Sequence, residues 1–208
     1  MLSRLRSFFT AVLGPIARLL LRMGVSPDVV TVVGTLGVVV AALTLFPTGH
    51  LFGGTMVITV FVFSDLVDGI MARTAGRSGR WGAFLDSTLD RFADAAIFCG
   101  LLVHLERTGD TVGAAFALAA LVLGSIVPYA RARAEGLGMT AQVGIAERAD
   151  RLVSVLVATG LVGLGVTPVL LDVVLVLLAL ASAITVVQRM ATVYRQATAG
   201  SGGTESRA

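Results

Sequence analysis

Lysine is absent: all sixteen basic residues are arginine, an imbalance that reads as codon bias in a GC-rich bacterial genome. Charge is scarce as well, at 14% of 208 residues, while 56% are hydrophobic and the mean hydropathy is +0.91. Soluble domains carry about 25% charged and 45–50% apolar residues, so a water-soluble core is excluded. A single cysteine, Cys99, excludes an internal disulfide framework, and with only two histidines it leaves no zinc-finger architecture. A formal charge of +3 is too mild to mark nucleic acid as the partner. There is no internal repeat. Five prolines stand against twenty-four glycines, a ratio suited to membrane helices, where small residues let backbones approach closely.

What the chain does contain is long apolar runs. Six lie near the ~20 residues that a bilayer core requires: Val29–Phe46, Leu51–Ala72, Ala83–Leu105, Thr111–Ala130, Leu152–Val166 and Val169–Met190. Turn signals separate them at Phe46–His50, Arg107–Asp110 and Gly165–Pro168. The opening segment, 1–23, mixes Arg4, Arg6, Arg18 and Arg22 with Leu, Phe and Ile, is interrupted by Pro15, and has no cleavage site. It reads as an amphipathic helix lying on the inner leaflet. Residues 24–196 form the expected membrane domain, and 197–208 a small, polar, disordered tail. Fourteen arginines fall on one side of this arrangement; of the other two, Arg107 lies opposite and Arg91 within a span. The positive-inside rule then puts both termini in the cytoplasm. The expected fold is an all-α integral membrane protein of six transmembrane helices preceded by an amphipathic juxtamembrane helix, in the bacterial cell membrane.

Ionisable groups within such spans are costly, and each is a functional hypothesis by default. Asp65 and Asp68 stand late in the second span, and Asp86, Asp90 and Asp94 early in the third. At ~100° per residue, the first pair lies ~60° apart on one helix face, and the second set drifts only ~40° per step of four. Both sets fall at the same cytoplasmic depth, so the carboxylates are expected to face one another. Such a set cannot remain ionised without cations. Hard oxygen ligands without His or Cys point to Mg²⁺ or Mn²⁺, two ions bridging the site as in phosphoryl transfer. A structural Asp–Arg network or a proton relay is the alternative. Gly69 and Ala72 leave room beside the acids for a bulky ligand, and Arg73 can offer a bidentate fork to phosphate. Arg77 and Arg80 are explained equally well by topology alone.

The segment Asp65-Leu-Val-Asp68-Gly69-Ile-Met-Ala72-Arg73, eight residues, then Gly82-Ala-Phe-Leu-Asp86-Ser-Thr-Leu-Asp90 resembles the complete signature of the CDP-alcohol phosphotransferase family. All eight fixed positions match across 26 residues. The resemblance implies cleavage of a CDP-linked lipid with transfer of its phosphatidyl group to an alcohol and release of CMP. It implies that Asp65, Asp68 and Asp86 hold metal, and that Asp90 completes the coordination or takes the acceptor hydroxyl proton. Gly69, Ala72, Arg73 and Gly82 would meet the cytidine diphosphate. Ser26-Pro27-Asp28-Val29-Val30-Thr31 resembles the motif that opens the family's first span. Asp28 and Thr31 are divided between helix capping and ligand contact.

A second basic group stands at Arg131, Arg151 and Arg189, on three different spans at one cytoplasmic level. Together they could converge on a doubly charged phosphate; topology explains any one alone. These stretches, with Arg22–Thr31 and Phe98–Gly100, resemble the actinobacterial phosphatidylinositol phosphate synthases within that family. That likeness implies CDP-diacylglycerol and inositol 1-phosphate as substrates, with the three arginines gripping the acceptor's phosphate. Relatives often carry lysine where Arg131 stands, which changes hydrogen-bond geometry but not charge. Glycerol 3-phosphate is the rival acceptor, making the rival enzyme a phosphatidylglycerophosphate synthase; a divalent-cation channel or transporter is the rival from another class. The family resemblance also implies a homodimer in the bilayer.

Overall fold

The computed structural model describes residues 13–76 and 79–201, without the side chains of Asp65, Gly200 and Ser201. The expectations for Arg4, Arg6, Arg77, Arg207 and the Asp65 carboxylate therefore lie outside the described residues, as do 1–12 of the amphipathic segment and 202–208 of the tail. All regular structure among the described residues is helical. Helix α1 occupies residues 13–22 and includes Pro15, so that proline stands within a helical stretch. It is followed by α2 (Pro27–Leu45), α3 (Leu51–Thr74), α4 (Arg80–Thr108), α5 (Thr111–Gly136), α6 (Arg148–Gly163) and α7 (Val169–Ser201). Two compact units divide the chain, Met1–Gly100 and Leu101–Ala208, the division falling inside α4.

Among the described residues, four helices are long and apolar enough to cross a bilayer: α2, α3, α5 and α7, with mean hydropathies of 2.1, 1.7, 2.0 and 2.7. The other two expected spans are helices of a different character. The first half of α4 carries Arg80, Asp86, Asp90, Arg91 and Asp94, and such charge density lowers its hydropathy below that of a bilayer-spanning segment. Helix α6 has 16 residues, about 24 Å at 1.5 Å per residue, against a hydrocarbon thickness of ~30 Å. Helix α7 extends to Ser201, into the stretch expected to be a tail. Ala197, Thr198 and Ala199 contain no helix breaker, and the Thr198 hydroxyl bonds back to the Tyr194 carbonyl at 3.0 Å.

In the first unit, α2 and α3 pack through small residues. A Cβ on Gly37 would lie 2.5 Å from the Phe61 ring, and one on Gly34 would run into the Ser64 hydroxyl. A Cβ on Gly100 of α4 would likewise run into the Ala42 carbonyl, so backbone approach is what these glycines make possible. Gly49, at φ +82°, turns the chain after α2, letting His50 N–H reach the Leu45 carbonyl at 2.9 Å. Helix α1 lays Ala17 against Val67, Ile70 and Met71 of α3, with Leu13, Leu20 and Leu21 around them. The i, i+4, i+7, i+8 spacing of that stripe is one helix face. Arg18 and Arg22 fall outside it, exposed.

In the second unit, α7 packs against both α5 and α6. Asp110 caps α5 by accepting from Gly113 N–H at 2.8 Å, and Asp150 accepts from Glu147 N–H at 3.2 Å at the start of α6. Pro128 lies inside α5, where it removes the N–H that would bond the carbonyl one turn back. The segment between α5 and α6 is pinned to α7 by side chains. The Thr185 hydroxyl oxygen accepts from both Ile145 and Ala146 N–H at 3.2 Å. Gln196 brackets Thr140, accepting from its N–H at 3.0 Å and donating to its carbonyl at 2.6 Å.

Candidate active site

Three helix ends build a cavity of about 610 Å³, all within the first unit. The start of α2 contributes Pro27, Asp28 and Thr31, the end of α3 Asp68, Gly69, Ala72 and Arg73, and the start of α4 Trp81, Gly82, Ala83 and Asp86. Ser26 and Gly79, just before their helices, complete the lining. The six residues expected to meet the CDP-lipid (Asp28, Thr31, Gly69, Ala72, Arg73 and Gly82) thus share one cavity with two of the four expected metal ligands.

Each helix end is where it is for a local reason. Pro27 at the first helical position and Ser26 as N-cap start α2, the Ser26 hydroxyl accepting from Val29 N–H at 3.3 Å. Capping therefore falls to Ser26, which leaves Asp28 in the first turn, where the positive helix end favours its charge. Its carboxylate accepts instead from the Trp81 indole Nε1–H at 3.1 Å. Thr31, one turn on, is not a cap either. Its hydroxyl lies 2.5 Å from Asp68 Oδ2 and 3.1 Å from the Pro27 carbonyl. With one proton to give, it donates to one of these at a time, and the short carboxylate contact is the stronger.

Asp68 is buried, 7% exposed, and the charges of Asp86 and Asp90 act on it repulsively. Arg91 Nη2 lies 3.8 Å from both Asp90 and Asp94, a loose pairing that bridges one helix turn. Among the described residues, no three His, Cys, Asp or Glu side chains are gathered as a finished metal cage. Asp68 and Asp86, on one cavity wall, nonetheless present hard carboxylate oxygens that repel one another. That donor set fits a divalent cation of the Mg²⁺ or Mn²⁺ type.

The glycines of the cavity differ from those between helices. Among the described residues, a Cβ on Gly82 would meet nothing beyond its own stretch of helix within 4 Å, and one on Gly69 would touch only the Arg73 guanidinium, at 3.5 Å. Glycine inside a helix costs about 1 kcal/mol relative to alanine. At Gly82 packing does not demand that cost, so the room serves whatever enters the cavity.

The second group of expected residues lies in the other unit. Arg151 and Arg189 are buried, at 3% and 7% exposure, whereas Arg131 is on the surface, its Nε donating to Glu135 at 2.8 Å. Arg189 donates through Nε to the Val143 carbonyl at 2.9 Å and through Nη1 to Val127 at 2.5 Å. Arg151 Nη1 donates to Ala146 at 3.3 Å, and its Nε lies 3.2 Å from where a Gly124 Cβ would be. Arg151 and Arg189 thus reach α5 one turn apart, at residues 124 and 127. Arg131 is close enough to Arg189 for their charges to repel, while Glu135 and Glu147 attract Arg189.

Sequence reasoning missed Trp81, Gly124 and the carbonyls that hold the arginines. Trp81 had a signal, being the chain's single tryptophan and the neighbour of signature residue Gly82. The carbonyls had none, because every residue has one.

The model of the CDP-alcohol phosphatidyltransferase family matches residues 24–144. Phosphatidylinositol phosphate synthase of Streptomyces avermitilis is 52% identical over 198 residues, 92% of this chain and 81% of its own. The Cutibacterium acnes protein of the same name is 52% identical over 203 residues, covering 94% and 98%. Among solved structures, Mycobacterium tuberculosis phosphatidylinositol phosphate synthase with CDP-DAG bound superimposes with a TM-score of 0.85 at 45% identity, over 88% of this chain and 94% of that one. The same enzyme in complex with manganese and citrate gives 0.81 at 45% identity, over 86% and 88%.

Proposed function

The chain belongs to the CDP-alcohol phosphatidyltransferase family, and from that premise we propose that it transfers the phosphatidyl group of CDP-diacylglycerol to inositol 1-phosphate, giving phosphatidylinositol phosphate and CMP. The observation that carries this reading is the single cavity where Asp28, Thr31, Gly69, Ala72, Arg73 and Gly82 meet Asp68 and Asp86. Nucleotide and lipid phosphates enter beside Gly69 and Gly82, where among the described side chains only the Arg73 guanidinium comes close. Arg73 offers its guanidinium fork to a phosphate oxygen. Thr31 holds the Asp68 carboxylate in one rotamer by its hydroxyl, so that this ligand is oriented before substrate arrives.

Asp65, Asp68, Asp86 and Asp90 would hold divalent ions, two of them, Mg²⁺ or Mn²⁺. Such ions, when bound, supply charge neutralisation at the diphosphate. In the transfer, the acceptor hydroxyl oxygen forms a bond to the phosphatidyl phosphorus while the bond from that phosphorus to the CMP oxygen breaks. The hydroxyl proton goes to Asp90, whose role as base depends on position more than on basicity. In the second unit, Arg131, Arg151 and Arg189 bind the acceptor's phosphate. The fixed carbonyl contacts of Arg151 and Arg189 lower the ordering cost of that binding.

In the bilayer, α4 and α6 complete six crossings, both chain termini lie in the cytoplasm with the active site, α1 rests on the inner leaflet, and two copies form a homodimer of the bacterial cell membrane. The arginine asymmetry supports this orientation. Purified protein in detergent, given CDP-diacylglycerol with inositol 1-phosphate or glycerol 3-phosphate, tests the acceptor. CMP release is expected to be faster with inositol 1-phosphate. Faster consumption of glycerol 3-phosphate identifies a phosphatidylglycerophosphate synthase instead, and metal flux into liposomes without CMP release identifies a transporter.

A further inference from the structure

Trp81 has no part in the eight-position signature, yet it lines the cavity, and among the described residues its side chain makes one hydrogen bond. The indole Nε1–H is 3.1 Å from Asp28 Oδ2, joining the first turn of α4 to the first turn of α2 across 53 residues of sequence. Its ring packs on Phe84, centroids 6.0 Å apart at 32°. The residue is 62% exposed, so burial of apolar surface does not explain the placement. A tryptophan serving only as an interfacial anchor would turn its N–H to water or lipid headgroups. This one spends it on a carboxylate of the cavity wall.

We propose that Trp81 is a positioning residue of the nucleotide pocket: its indole N–H holds the Asp28 carboxylate in the orientation that receives the cytidine nucleotide. This rests on the reading of the cavity as the CDP-lipid site. Asp28 has one oxygen engaged by the indole, and among the described residues the other has no hydrogen-bond donor, so it can accept from a ligand. Without the indole, the carboxylate rotates about a broad terminal torsion, and the ligand must then order it on binding. The effect falls on nucleotide affinity, and the acceptor's affinity is untouched.

Trp81 is the only tryptophan in the chain, so its emission reports on this pocket without interference. In detergent with magnesium, CDP is expected to change wild-type emission saturably. By calorimetry, Trp81→Phe, which keeps a ring and loses the N–H, should bind CDP about tenfold more weakly, the scale of one lost charge-assisted hydrogen bond. It should raise KM for CDP-diacylglycerol by a similar factor, with kcat and the acceptor KM within about twofold. In an Asp28→Ala background the same change should add nothing, because Trp81 acts through Asp28. Unchanged CDP affinity in Trp81→Phe, an additive double variant, or wild-type emission that ignores CDP overturns the assignment. Wild type that binds CDP with the expected Trp81 response but transfers no phosphatidyl group overturns the proposed function and leaves the assignment standing.

Discussion

The two candidate binding regions hold their charges in opposite ways. In the first unit, Asp68 is buried against a hydroxyl, Asp86 lines the same cavity, and the glycines beside them touch little among the described residues. In the second unit the two buried arginines are tied to main-chain carbonyls before any ligand arrives, and only Arg131 stands free of the backbone on the surface. The first arrangement is a like-charge cavity that gains from taking up cations. The second is a set of cations already oriented by the fold. Charge that awaits a counter-ion and charge that awaits only a ligand fail differently when a residue is removed.

The largest effect is expected at Asp68. Asp68→Asn keeps the shape and the Thr31 hydrogen bond but removes the charge, so CMP release should fall by more than about a hundredfold. Thermal unfolding should stay near wild type; full activity in a folded variant would remove Asp68 from the metal set. Next comes Gly82→Leu, which fills the cavity from a position that none of the described side chains crowds. Helix propensity favours the variant by somewhat under 1 kcal/mol, so Tm should hold or rise while KM for the CDP-lipid rises about tenfold or more. A fall in Tm with unchanged KM would show that Gly82 serves packing.

Across the divide, Arg151→Ala should raise the acceptor KM about tenfold while the KM for the CDP-lipid moves within about twofold. Because Arg151 is buried against Ala146 and Gly124, Arg151→Lys is the companion variant. It keeps the charge, loses the fork and should fall between. Equal effects on both substrates would detach Arg151 from the acceptor site. The smallest effect is expected for Glu135→Gln, which frees Arg131 from an exposed i, i+4 pair worth a few tenths of a kcal/mol. Stability should be unchanged, and the acceptor KM should shift by about twofold or less, more at low salt than at high salt.

Much of the first region is legible in the primary chain because its chemistry is local. Asp65 to Asp90 occupy 26 consecutive residues, and helix periodicity alone puts Asp65 and Asp68 on one face and Asp86 and Asp90 on another. The bilayer does the rest, since ionisable side chains in apolar runs stand out against their surroundings. The helical class and the four strongly apolar helices follow from the same contrast. The finer division of α4 was harder to read, because a helix that carries a charged half and an apolar half matches neither pattern along its whole length.

Tertiary packing had to supply the relations between distant residues. That Ser26 caps α2 while Asp28 turns to Trp81, and that Thr31 serves Asp68, depends on where three helix ends come to lie. Periodicity describes one helix at a time and carries no information on which neighbour a hydroxyl or an indole will find. The same holds for Arg189, whose partners are backbone carbonyls at Val127 and Val143. Residue identity chose the chemistry available in each region; which atoms meet was left to the folding of helices against one another, because a hydrogen bond is a matter of a few ångströms and not of spacing along the chain.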